Sequence, residues 1–221
     1  MTDMNKLLGQ LLDSGAATGL TGGLAGGLAS SMLTGKKGRK LGKKALKLGG
    51  IAAVGALAYT AYKRYVNSQG TTPGEPSDAT GLLPAPRGTA FIPEETNHAA
   101  NEALGQTLVR AMIAVSRADG RLDAQESQAI FQKIGSLGLD HESQSLLAQE
   151  MGYPVDVDAI VNSATGPEIA AEIYAASLLA VDIDNAAEMA YLTMLAARLR
   201  LPPELVTELV HQVEAQKTLT Q

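Results

Sequence analysis

From Leu48 to Tyr62 the chain runs fifteen residues without a charge, and between Leu48 and Ala58 it carries no polar side chain. A helix built from this stretch has no polar face to give to water, so lipid is its expected surrounding. Fifteen residues reach only about 22 Å, short of the roughly 30 Å hydrocarbon core of a bilayer. Leu46 extends the stretch, Lys47 and Lys63 can snorkel, and Tyr59, Tyr62 and Tyr65 fall where an interfacial belt would lie. A short membrane helix over 46–65 is therefore expected, with an amphipathic surface helix as the alternative.

A second uncharged stretch precedes it. Residues 14–35 carry no charge, and Gly15, Gly19, Gly23 and Gly27 recur every four residues, with Leu20, Leu24, Leu28 and Met32 one position on. On a helix this makes a smooth ridge beside a leucine stripe, the spacing by which lipid-embedded helices approach and self-associate. In water each glycine would cost about 1 kcal/mol of helix propensity relative to alanine. A membrane-associated helix over 14–35 is expected; a low-complexity tail is the alternative. Between the two stretches lie Lys36, Lys37, Arg39, Lys40, Lys43, Lys44 and Lys47. Such a run favours the cytoplasmic side and attracts anionic headgroups. The amino terminus, with Asp3, Lys6 and Asp13, does not read as a cleaved signal peptide.

Charge divides the chain into three parts. Residues 1–66 carry a net +8, residues 67–95 a net -3 and residues 96–221 a net -10, within an overall -5. The middle part holds five prolines and four glycines and reads as a flexible linker. The expected organisation is thus a basic membrane-associated region (1–66), a linker (67–95) and an acidic domain (96–221).

From Ala99 onward the apolar spacing is helical. Leu104, Leu108, Ala111, Met112 and Val115 form one stripe, and Ile130, Ile134 and Leu137 form a second. A short element is expected over 157–162. Pro167 opens a long helix, another runs from about 185 to 199, and Pro202-Pro203 opens the last. The expected fold is all-α, a bundle of six or seven helices behind the membrane-associated front.

The string ADGRLDAQE at 118–126, followed by VDIDNAAEMAYLTMLAARLRL at 181–201, resembles the tellurite-resistance-protein-B-like (TerB-like) helical domain. With the glycine-rich front, basic run and short hydrophobic stretch ahead of it, the chain resembles uncharacterised bacterial inner-membrane proteins carrying that domain. The resemblance implies an all-helical fold, an inner-membrane location, no established enzymatic activity, and clustered acids as a metal or calcium site; the helical domain is expected on the cytoplasmic side. The matching acids are Asp119, Asp123, Glu126, Asp182, Asp184 and Glu188.

Converging carboxylates repel unless a cation or a shared proton relieves them, and hard cations such as Ca²⁺ or Mg²⁺ take oxygen ligands. With no cysteine in the chain, oxygen must supply such a site. The 119–130 string is not an EF-hand loop, since Arg121 and Ile130 stand where ligands belong. Helix capping accounts for the same acids without a metal. No triad or phosphate loop stands out: His98, His141 and His211 have no nucleophile at supportive spacing. The expected function is a non-catalytic, membrane-tethered adaptor or sensor, whose partners are lipid and another protein. The alternatives are a soluble structural or nucleic-acid-associated protein with a basic arm, nucleic acid being disfavoured at 4% aromatic content, and a metal-dependent hydrolase.

Overall fold

The computed structural model describes residues 4–13, 50–69, 82–118, 141–181 and 186–220. They form α1 (Met4–Asp13), α2 (Gly50–Gln69), α3 (His98–Ser116), α4 (His141–Gly152), α5 (Val157–Asn162), α6 (Pro167–Ala180), α7 (Ala186–Arg198) and α8 (Pro203–Thr220). Among the described residues there is no strand, only an isolated bridge between Arg87 and Ile92. The fold is all-α.

The helix ends follow local chemistry. The Asn97 side chain accepts the Ala100 N–H at 3.1 Å to open α3, and Asp156 accepts the Ala159 N–H at 2.8 Å to open α5. Pro167 and Pro203 stand at the starts of α6 and α8, where their missing N–H costs nothing. The chain leaves α7 through Arg200, in the left-handed region at φ 55°. The Leu201 N–H returns to the Ala196 carbonyl and the Arg200 N–H to that of Ala197. This is a Schellman closure with arginine where glycine is usual.

Two helices carry long buried stretches. Every residue of α6 from Ala170 to Ala180 is buried. On α2, Ile51, Val54, Gly55, Ala56, Leu57, Ala58, Thr60 and Ala61 are buried. α2 packs against α1, α6 and α8, and α6 packs further on α3. One apolar cluster runs from Met4, Leu7 and Leu8 of α1 through α2, α3 and α6 to Leu205, Leu209 and Val213 of α8.

This arrangement corrects the expectation for 46–65. Its described part belongs to a helix that starts at Gly50 and ends at Gln69, and the apolar stretch is covered by protein. A helix apolar all round must be buried, but a protein core satisfies that as well as lipid does, and α6 is the matching partner. Among the described residues no helix is long and apolar enough to cross a membrane. The glycine ridge of 14–35 and the basic run lie outside the described residues.

Residues 82–95 make contacts of their own with α2. Phe91 and Ile92 are buried. The Phe91 ring meets Tyr59 and Tyr62 edge-on at 5.4 and 5.6 Å, and the Leu83 N–H donates to Thr60 Oγ1 at 2.9 Å. The apolar residues of this strap find the aromatic face of α2, so the segment is docked. Residues 50–69 share one apolar core with α1, α3, α6 and α8.

Candidate functional site

α3 and α6 touch near their C-terminal ends, where the Ser177 hydroxyl faces the Ala111 carbonyl at 3.5 Å. In the chain, the two acidic strings follow these two helices. Asp119, Asp123, Glu126, Asp182 and Asp184 fall outside the described residues. Glu188 is described: it is buried in the first turn of α7. Tyr191, one turn on, keeps its hydroxyl without a partner among the described residues, and burial pushes it up to about 12 against a smaller opposing pull from Arg198. Among the described residues it bonds no carboxylate. Among the described residues no three His, Asp or Glu side chains gather in a way that could hold an ion. Of the six acids, Glu188 is the one among the described residues.

A polar cluster that the sequence did not single out joins α3 to α4. Glu150 is buried at the end of α4, and Arg110 grips it with Nε to Oε2 at 2.7 Å and Nη2 to Oε1 at 3.3 Å. Gln106, one turn earlier on α3, donates to Oε1 at 3.0 Å. The fork of Arg110 supplies two parallel bonds and leaves the buried carboxylate well satisfied. Beside it opens a cleft of about 410 Å³, lined by Arg110, Ile113, Tyr153, Val155 and Ile160 among others. Tyr153 and Val155 are exposed. Arg117, just past α3, donates to the Tyr153 carbonyl at 3.0 Å and so pins the cleft's outer loop.

The family described as "Protein of unknown function (DUF533)" matches residues 18–213. The chain belongs to the DUF533 family. That family lies in the TerB-like superfamily, in keeping with the resemblance carried by 118–126 and 181–201. A Yersinia enterocolitica protein named "Uncharacterized protein in ampR 5'region" is 26% identical over 99 residues, which cover 45% of this chain and 71% of that one. No solved structure matches the chain significantly. The DUF533 match takes in the glycine-rich front from residue 18, the basic run, α2 and the bundle together.

The DUF533 chain holds one more group that the sequence reading passed over. Glu172 lies in the middle of α6 with 0% of its surface exposed, and neither carboxyl oxygen has a partner among the described residues. Oε1 comes so close to Gly55 of α2 that a Cβ there would stand 2.9 Å away. The Phe91 carbonyl faces the same gap, 3.2 Å from that position. Burial alone raises the Glu172 carboxyl well above the ordinary carboxylate range. A signal was present: Glu172 is the one charged residue between Glu168 and Asp182 in an otherwise nearly all-apolar run.

Proposed function

We propose that this DUF533 protein is a non-catalytic adaptor of the bacterial inner membrane, which holds its helical bundle against anionic lipid and offers it to another protein. The observation that carries the reading is the place of α2. The basic run ends at Lys47 and α2, a core helix, begins at Gly50. Charges attracted to a bilayer would therefore hold the bundle itself at the surface, with no spacer between. Near an anionic leaflet each Lys or Arg contributes about 1 kcal/mol, so seven give several kcal/mol at physiological salt. The glycine ridge of 14–35 is the element that enters the membrane or pairs with a second copy. The cleft beside Arg110 and Glu150, with Tyr153 and Val155 exposed, is the face offered to protein.

Flotation of the full chain with vesicles tests this reading. Binding to vesicles rich in anionic lipid, weak binding to neutral ones, and loss on replacing Lys36, Lys37, Arg39, Lys40, Lys43, Lys44 and Lys47 by Gln are expected. Equal recovery with neutral vesicles, or none with either, refutes it. A divalent cation at Asp119, Asp123, Glu126, Asp182, Asp184 and Glu188 is a second element of the reading, supported by the family resemblance and by the all-oxygen donor set. Calorimetric titration with Ca²⁺ and Mg²⁺ that gives neither heat nor a shift in melting removes that element.

A further inference from the structure

The interface between α2 and α6 is built around a carboxyl group that has no partner among the described residues. Glu172 is fully enclosed, Gly55 leaves room for it by lacking a side chain, and the Phe91 carbonyl shares the gap. A second acceptor beside a carboxylate disfavours the charged form and suits a protonated one, which has a hydrogen to donate. None of the described charges on the surrounding elements bonds to it. On α2 the first charges after Gly55 are Lys63 and Arg64, more than two turns on, and Arg64 pairs with Glu208 of α8. In the strap Arg87 pairs with Glu95, with Glu94 exposed beside it. On α3 Arg110 is held by Glu150, and Glu102 accepts the Met4 N–H. On α6 itself Glu168 stands one turn earlier and half-buried, on α7 Arg198 pairs with Asp158, and on α8 Lys217 donates to the Val181 carbonyl while Glu204, His211 and Glu214 are exposed.

We propose that Glu172 is a proton-operated latch: α2 stays seated in the bundle while this carboxyl keeps its proton, and loss of the proton to water loosens the α2–α6 contact. The inference rests on the packing of α2 and stands apart from the lipid reading. Its sign follows from linkage. The seated state holds Glu172 neutral, whereas the opened state exposes it to water and lets it ionise in the ordinary carboxylate range near 4.3. The seated state therefore binds one more proton across the interval between the two. Its stability is greatest at low pH and falls as pH rises through that interval.

Hydrogen exchange of the full chain, followed by mass spectrometry over peptides covering 50–62 and corrected for the intrinsic rate, reads the opening directly. Between pH 5 and 7 the opening constant is expected to rise by up to about tenfold per pH unit, the limit for one proton. In Glu172→Gln it is expected to stay flat. Glu172→Met serves the same purpose should the Gln variant fail to fold. A wild-type opening constant that does not change with pH, or a variant that follows the wild-type slope, overturns the proposal. A carbon-13 titration of the wild-type glutamate carboxyls needs no variant. Glu172 titrating apart from and above the exposed glutamates supports the latch, and Glu172 titrating with them overturns it.

Discussion

Gly55→Ala asks how tightly α2 is seated. The added Cβ would stand 2.9 Å from Glu172 Oε1, 3.1 Å from Ile92 Cγ1 and 3.2 Å from the Phe91 carbonyl oxygen. All three are closer than comfortable van der Waals contact, and the last is backbone, which yields least. Overpacking of this kind costs about 1–3 kcal/mol. Alanine in a helix interior regains about 1 kcal/mol over glycine, so a net loss of about 0–2 kcal/mol is expected. Urea unfolding of the full chain at one pH measures it as a lower midpoint at unchanged slope. The decisive arm is the background. In Glu172→Ala the nearest atom is gone, and there Gly55→Ala is expected to be neutral or stabilising, a coupling of about 0.5–3 kcal/mol between the two sites. Gly55→Ala that stabilises the wild type by its full helix propensity, or effects that simply add, would refute the claim that Gly55 is there to admit the carboxyl.

Three other perturbations read separate features. Arg110→Met strands Glu150 as a buried carboxylate with Gln106 as its remaining donor, and a loss of about 3 kcal/mol in unfolding free energy is expected. Arg200→Gly places glycine at the left-handed position that closes α7, and a rise of about 1 kcal/mol is expected in the same assay. Tyr191 is neutral below its raised pKa of about 12, so its stabilising effect is complete up to the ordinary tyrosine range near 10 and is lost between there and 12. Ultraviolet titration is expected to show one tyrosine ionising near 12, absent in Tyr191→Phe.

Much of the bundle was legible because its signals are local. Pro167 and the Pro202-Pro203 pair mark helix starts whatever surrounds them, and the structure begins α6 and α8 at Pro167 and Pro203. The short element at 157–162 lies where expected, opened by an aspartate cap. Leu205, Leu209 and Val213 sit one turn apart and all face the core. The cleft was not legible, because Arg110 and Glu150 are forty residues apart and each reads as an ordinary surface charge until α4 folds back on α3. Of the candidate acids, Glu188 has its place in the structure, buried on α7, while the others fall outside the described residues.

The misreading of α2 has a physical cause that concerns any chain of this kind. Periodicity reports whether a helix has a polar face and is silent about what covers an apolar one. Length is the first discriminator. The apolar part of α2, from Gly50 to Tyr62, gives way to about two largely polar final turns from Lys63 to Gln69 and falls well short of the roughly twenty residues a span needs. The second discriminator is a partner elsewhere in the chain. α6 is as evenly apolar as α2 and too short to span at fourteen residues, and two such helices in one chain can cover each other where neither can cross a bilayer. Glu172 completes the argument. An acid in the middle of α6 has no place on a lipid-facing helix. Here it is enclosed by the glycine side of α2, and each of these two anomalies of sequence is explained by the position of the other.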